Sequence, residues 1–458
     1  MNYLFSVIIR VVAFLSRFYP RKNWKNGDRL RILLSGYNGT RNTGADARVQ
    51  EIIRQLHLLF GKDIDIGLVV KSKAAFAEYT EEYTETVRLI EVRPALIVLD
   101  VLHECSRYHM AILCEGSTLK SKFANALTLL YCLVAGIMRS QNKPCLAYGS
   151  EAGDMDAYVR NVAASLCRDT YFIARTQNSL DIIRRLGLSG HVGTDTAWSF
   201  PVRRDLKQLF RNEWKALGWD PSTRVVGIAP INPFWWPVEI SIFKWIRSWF
   251  TGNWEDQYAL FFYFSSSKER RKQFEHYISN LAQAVEELRT KSNVNVVILG
   301  MEALDRRACE QLKERLSFSV PVYLSVDYNT YELTAILNSL SLLITSRYHA
   351  RGLSMQSSVP AIAVSMDERL CNVFEELGMR DQSCFGVSDE GLALRIRDTA
   401  DRMLEDPEPA EHRIGTQYLE YRKRMGEMGL FLKEFVKQKF PDVKVNSSIS
   451  TWQDAVPQ

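Results

Sequence analysis

The sequence predicts an α/β protein built from two Rossmann-like parallel-sheet domains in tandem. Short β-branched runs alternate with helical segments from Arg31 onward, the pattern of parallel βαβ units. The alternation breaks once, at the polar stretch 199–224, and resumes at Val225. With 458 residues, 46% of them hydrophobic and 24% charged, the chain has room for two or three domains.

In the first series the expected strands are 31–35, 65–70, 87–92, 110–114, 145–149, 171–174 and 191–194, with helices over 45–60, 121–140, 157–168 and 178–186. The second series has strands near 225–229, 259–264, 294–299, 321–326, 340–345 and 360–365. The expected division is an N-terminal segment 1–28, domains over 29–205 and 206–440, and a polar tail 441–458 predicted to be disordered. A helical stretch, 412–440, is expected to close the second domain.

The segment MNYLFSVIIRVVAFLSRFYP is apolar for most of its length, but a helix there puts Ser6, Arg10 and Arg17 on one narrow face. Arg21, Lys22 and Lys25 follow it. That pattern suits a helix lying in a membrane interface, with packing on the protein as the alternative. A secretory signal lacks its basic start and small-residue end, and a spanning helix would bury Arg10.

A net charge of +5 without a basic, aromatic-interleaved run does not indicate nucleic acid. The eight cysteines form no CxxC pair and fall mostly in apolar stretches, so they read as buried, reduced thiols with neither disulfide nor zinc site.

Candidate chemistry gathers where strands end, the usual ligand edge of a parallel sheet. The first strand runs into SGYNGTRNTGADARVQ, a glycine-rich loop with Gly36, Asn42 and Gly44 ahead of a helix that Thr43 is expected to cap. It is neither GxGxxG nor a Walker loop. The fourth strand ends in CEGSTLKSKFANAL, with Glu115 and Ser117, and the fifth in AYGSEAGDMD, with Glu151. Arg175 and Asp195 follow the sixth and seventh. Asp154 and Asp156, like Asp63 and Asp65, resemble metal-binding DxD triplets, which are common by chance, and no metal is expected. After Val225–Ala229, GIAPINPFWWPV presents Trp235 and Trp236, which can stack on sugar rings or pack between domains. TSRYHARGL places Arg347, His349 and Arg351 where a buried strand becomes a helix expected over Tyr348–Gln356. Cations at such a junction suit an anionic ligand, with Arg347 as half of a structural ion pair the competing reading.

Taken in order, these segments resemble the polysaccharide pyruvyl transferase family, whose members are similar to two-lobed GT-B glycosyltransferases. The resemblance runs from about Arg31 to Met379 and rests on GYNGTRNTGADA, CEGSTLKSKFAN, AYGSEAG, ARTQNSLDIIRRLG with GTDTAW, and TSRYHARGLSMQSSVPAIAVSMDERLCNVFEELGM. It implies transfer of pyruvate from phosphoenolpyruvate, a co-substrate and not a cofactor, to a sugar of a cell-surface or secreted polysaccharide precursor. The product is a cyclic ketal. The R-x-H pair falls on Arg347 and His349, expected to bind the donor with Arg175 and Arg351, and His349 either holds phosphate or donates a proton. Trp235 and Trp236 are the expected acceptor contacts. A glycan or lipid-linked saccharide acceptor and a cytoplasmic location, peripheral to the membrane, complete the expectation. The chain departs from the family in APINPFWWP, which lacks the cation common there, and in Glu115 and Lys120. The rival readings are a nucleotide-sugar glycosyltransferase and a non-catalytic glycan- or anion-binding member.

Overall fold

The structure, a computed structural model, describes residues 2–254 and 256–457; Met1, Glu255 and Gln458, including the outermost residue of each terminal segment, lie outside the described residues. The first sheet comprises β1 (Leu30–Asn38), β2 (Ile64–Val70), β3 (Val87–Glu91), β4 (Met110–Leu113), β5 (Cys145–Ser150), β6 (Thr170–Ala174) and β7 (Ser189–Val192). All neighbours are parallel, in the order β3-β2-β1-β4-β5-β6-β7. Helices cover both faces, so strands such as Met110–Leu113 are buried at every residue and read as unbroken apolar runs.

The chain then enters β8 (Val225–Ala229) and leaves it for an inset antiparallel sheet of β9 (Glu239–Ile240), β10 (Gln257–Ala259) and β11 (Phe262–Tyr263). The second parallel sheet is completed by β12 (Asn295–Gly300), β13 (Val322–Leu324), β14 (Leu342–Thr345), β15 (Ala361–Ser365) and β16 (Cys384–Gly386), in the order β13-β12-β8-β14-β15-β16. The expected strand 259–264 is thus corrected. Leu260 takes φ 45° and turns the chain inside that apolar run, so it folds into a hairpin, and Cys384–Gly386 supplies the sixth strand.

The two sheets share one winding. In each, the first strand lies between the strands that continue in opposite directions, and the switch points fall between β1 and β4 and between β8 and β14. Crevices outside the carboxyl ends of such strands bind ligands. Here the two crevices face each other across the domains, with Thr43 N bonded to Met301 O at 2.9 Å.

Two terminal expectations change. The helix Glu408–Lys439 does more than close the second domain, because its apolar positions belong to different cores. Ile414, Tyr418 and Tyr421 join the second, while Met428, Leu432 and Val436 join the first. The tail expected to be disordered is packed. Ile449, Ala455 and Val456 are buried, and Gln55 Nε2 donates to Ala455 O at 2.7 Å while Asn446 N donates to Leu59 O at 2.7 Å. Ile449 and the adjacent pair Ala455 and Val456 suffice as anchors where the neighbouring helices satisfy the tail's carbonyls.

The N-terminal helix Asn2–Leu15 docks through Ile9 and Ala13, flanked by Ser6 and Ser16, against the helices Asn125–Ser140 and Ala157–Leu166. Gly136 permits this approach, since a Cβ there would lie 3.0 Å from that of Ala13. Leu4, Val7, Ile8, Val11, Phe14, Leu15 and Phe18 remain exposed. No helix among the described residues is long and apolar enough to cross a membrane. Six cysteines are buried as expected, but Cys371 and Cys384 are only half-buried, at the junction of helix Glu368–Glu376 and β16.

Deleting residues 442–458 should lower the stability of the chain by roughly 3 kcal/mol, the scale of re-exposing two aliphatic side chains. Urea denaturation reads this directly, and an unchanged midpoint would return the tail to the disordered class.

Candidate active site

Loops from both sheets converge on one cleft of about 1120 Å³, open to solvent. The first domain contributes the stretch after β1, where Asn42 caps the helix Thr43–Phe60 by accepting from Ala45 N at 3.1 Å, so the cap is Asn42 and not Thr43. It also contributes Glu115 to Ser117 after β4 and Arg175 after β6. The second domain closes the cleft with Trp236, Met301, Glu302, Ser346 to His349, Met366 and Arg369. Side chains bridge the domains around it. Tyr37 and Tyr258 share a hydroxyl contact at 2.5 Å, Lys120 Nζ reaches Glu368 at 2.6 Å, and Arg369 donates to Ser117 Oγ at 3.4 Å.

Five permanent cations line the cleft, Arg48, Lys120, Arg175, Arg347 and Arg369, against two carboxylates, Glu115 and Glu302. The balancing acids stand behind them. Asp195, 1% exposed, lies 3.2 Å from Arg48 Nε and 3.1 Å from Arg175 Nη2. Burial alone would raise its pKa, but the two guanidiniums more than offset this and hold it far below the usual carboxylate range. Glu151 spans Arg175 Nη1 at 3.2 Å and Lys120 Nζ at 3.3 Å. Asp367 grips Arg369 with both oxygens, at 3.1 and 2.9 Å, and despite burial is held at about 2 by Arg369 and Lys120. Arg48, Lys120, Arg175 and Arg369 are each held from the rear by a carboxylate partner, and Arg175 Nε has no hydrogen-bond partner among the described residues.

Arg347 is more fully engaged than a free anion-binding fork. Its Nε donates to both oxygens of Asp305 at 3.0 and 2.9 Å, its Nη2 also reaches Asp305, and its Nη1 lies 3.0 Å from Glu302. Burial pushes Asp305 up to about 6 even with Arg347 beside it. The helix after it, Tyr348–Leu353, is six residues long, shorter than the expected span to Gln356. Arg347 is thus half of a buried ion pair that also borders the cleft.

His349 lies 3.5 Å from Asp195 through Nε2. Its ring rests on Gly44, where a Cβ would come within 2.0 Å of Nδ1, so only glycine fits at that helix start. Burial lowers the His349 pKa, opposed by Asp195, and the nearby Arg175 and Arg48 charges lower it further. The net effect favours the neutral imidazole.

Of the residues singled out in the sequence, Asn42, Gly44, Glu115, Ser117, Arg175, Trp236, Arg347 and His349 line the cleft, with Glu151 and Asp195 directly behind. Gly36 does not; it lies within β1, beside Cys114. Trp235 turns away and stacks on Phe264 at 4.5 Å. Arg351 is buried in the second domain, where Nη1 donates to Val359 O at 3.2 Å, and burial lowers its pKa to about 10. Arg48, Arg369, Glu302 and Asp305 were missed. Arg48 closes the glycine-rich stretch SGYNGTRNTGADARVQ but sits on the helix beyond the loop, while GMEALD after β12 carries the same strand-end signal as the other loops. Among the described residues, no group of His, Cys, Asp and Glu is arranged to hold a metal ion.

The sequence model of the polysaccharide pyruvyl transferase family matches residues 42–368 of the chain. No curated protein sequence matches it. Among solved structures, a UDP-GlcNAc 2-epimerase from Neisseria meningitidis bound to UDP-GlcNAc superposes with a TM-score of 0.55 at 11% identity, covering 89% of this chain and 100% of that one. The Anabaena protein Alr3699/HepE in complex with UDP-glucose gives a TM-score of 0.54 at 12% identity, with coverage of 89% and 100%. A glycosyltransferase from Rickettsia africae gives 0.52 at 9% identity, with coverage of 90% and 99%. These likenesses are of fold, the GT-B type of two facing parallel-sheet domains.

Removing one partner of these buried pairs should be costly. Arg347→Ala leaves Asp305 and Glu302 without their cation, and Asp195→Asn leaves Arg48 without its carboxylate while Arg175 keeps only Glu151, each expected to destabilise by about 3–5 kcal/mol. Chemical denaturation checks both, and losses under about 1 kcal/mol would mean the cleft charges are solvated rather than built in.

Proposed function

Because the chain belongs to the polysaccharide pyruvyl transferase family, we propose that it transfers a pyruvyl group from phosphoenolpyruvate to two hydroxyls of one sugar in a polysaccharide precursor. The observation that carries this reading is the cation-rich lining of the cleft with its balancing acids held to the rear. Phosphoenolpyruvate bears a phosphate and a carboxylate, and guanidiniums already oriented by buried partners bind such groups with little reorganisation. Arg48, Arg175 and Arg369 are the proposed holders, with Lys120 alongside. Arg347, occupied by Asp305 and Glu302, contributes its cleft-facing edge and the rigidity of its loop.

The reaction has a definite proton inventory. One sugar hydroxyl adds to the central carbon of the enol while the methylene carbon gains a proton and becomes methyl. The second hydroxyl then replaces phosphate, whose departing oxygen carries away the remaining proton. Neutral His349 is suited to take a hydroxyl proton, and the donor phosphate beside it would favour the imidazolium that delivers one. Asp195 orients the ring and stabilises that cation. Trp236 offers an apolar face to the acceptor sugar. The exposed arc of the N-terminal helix, followed by Arg21, Lys22 and Lys25, supports work at a membrane surface on a lipid-linked acceptor.

Incubation with phosphoenolpyruvate and a glycan acceptor should release inorganic phosphate and give an acceptor heavier by a pyruvate ketal. Sugar transfer from a nucleotide sugar without either product would overturn the reading. The pH profile probes His349. Because burial lowers its pKa, the active neutral form persists into mild acid, and kcat/KM should fall only as pH drops below the ordinary histidine value of 6.5. His349→Gln should remove that acid limb and lower kcat by 10²-fold or more, on the order of a lost general acid–base group. An unchanged limb would assign the titration to another group.

A further inference from the structure

The helix Ile242–Thr251, inserted between β9 and β10, is amphipathic in the wrong sense for a helix packed on a protein. At 100° per residue Ile242, Phe243, Ile246, Trp249 and Phe250 share one arc, while Lys244, Arg247, Ser248 and Thr251 fall opposite. Globular packing turns such an arc inward. Here Ser248 is the buried residue, bonded to the Tyr263 hydroxyl at 3.2 Å, and the apolar arc points out, with Phe243 77%, Trp249 66% and Phe250 87% exposed.

Its surroundings narrow what covers it. No acidic residue occurs from 240 to 254, Arg247 is the cation nearer the arc, and Lys244 lies on the opposite face. The N-terminal helix has the same character, with an exposed apolar arc and no acid in residues 2–27. The two adjoin one place in the fold. The N-terminal helix runs alongside Asn125–Ser140, and the inset sheet packs on Ala124 and Leu127 at the start of that helix, where Val238 N donates to Phe123 O at 2.8 Å. Phe123, Ala124 and Leu127 also line the cleft. A second copy of this chain would bring basic flanks together. A bilayer bearing anionic headgroups matches both the aromatic arc and the charge.

We propose that the helix Ile242–Thr251 is a second lipid-binding element, inserting Phe243, Trp249 and Phe250 among the headgroups of an anionic membrane surface beside the cleft. Each domain then carries its own membrane contact, and a lipid-borne acceptor enters the cleft from that surface. This deepens the membrane part of the proposed function and is independent of the donor.

The test uses the full chain and vesicles of phosphatidylcholine with and without phosphatidylglycerol. Co-sedimentation should favour the anionic vesicles, and the double variant Phe243→Ser, Phe250→Ser should bind them about tenfold more weakly with an unchanged melting temperature. Lys244→Glu with Arg247→Glu, which alters only exposed charges, should weaken binding similarly. Phosphate release on a water-soluble acceptor should be the same in both variants, so lipid binding and catalysis are read separately. Vesicle binding unchanged in both variants, equal binding to neutral vesicles, or a lipid-free dimer that the serine variant dissociates would overturn the proposal.

Discussion

The buried carboxylate of Asp195 organises the cleft. It neutralises Arg48 from one helix and Arg175 from one strand end, and it touches His349 from the other domain. A charge this deep is tolerated only when paired, and two guanidiniums without it would repel each other. Tying three segments separated by more than a hundred residues to one carboxylate gives the cations a single geometry. It also explains why glycine stands at position 44, where the imaging of His349 onto the helix start leaves no room for a side chain.

The same logic recurs around the cleft. Glu151 holds Arg175 and Lys120, Asp367 holds Arg369, and Asp305 holds Arg347, in each case with the acid on the protein side. An arrangement of this kind presents positive charge without the conformational freedom of surface lysines and arginines. Several of its links cross between domains, such as Lys120 to Glu368 and Arg369 to Ser117, so the site is complete only when the two switch points face each other. The long helix Glu408–Lys439, seated in both cores, braces that relationship.

Much of this was legible in the sequence because parallel sheets place function at strand ends. Glu115, Arg175, Asp195, Arg347 and His349 all follow apolar runs directly, and the alternation of runs and helices located them without knowledge of contacts. Arg48 was not legible, since one turn into an amphipathic helix an arginine looks solvated until Asp195 folds against it. The partners of Arg347 were likewise invisible, because pairing depends on β12 lying beside β8 and not on spacing. Trp235 and Trp236 show the limit of adjacency, as neighbours in an irregular loop face different compartments. The tail was misread on composition, which averages away the three residues that anchor it.

On the proposed function, these preorganised cations form a site for a small donor bearing phosphate and carboxylate. Thermal denaturation with increasing phosphoenolpyruvate measures it most directly, because a ligand of the native state stabilises in proportion to the logarithm of its saturation. The melting temperature should climb with millimolar phosphoenolpyruvate, and less so at high salt. A nucleotide sugar that raises the melting temperature while phosphoenolpyruvate leaves it unmoved would rule out phosphoenolpyruvate as the donor.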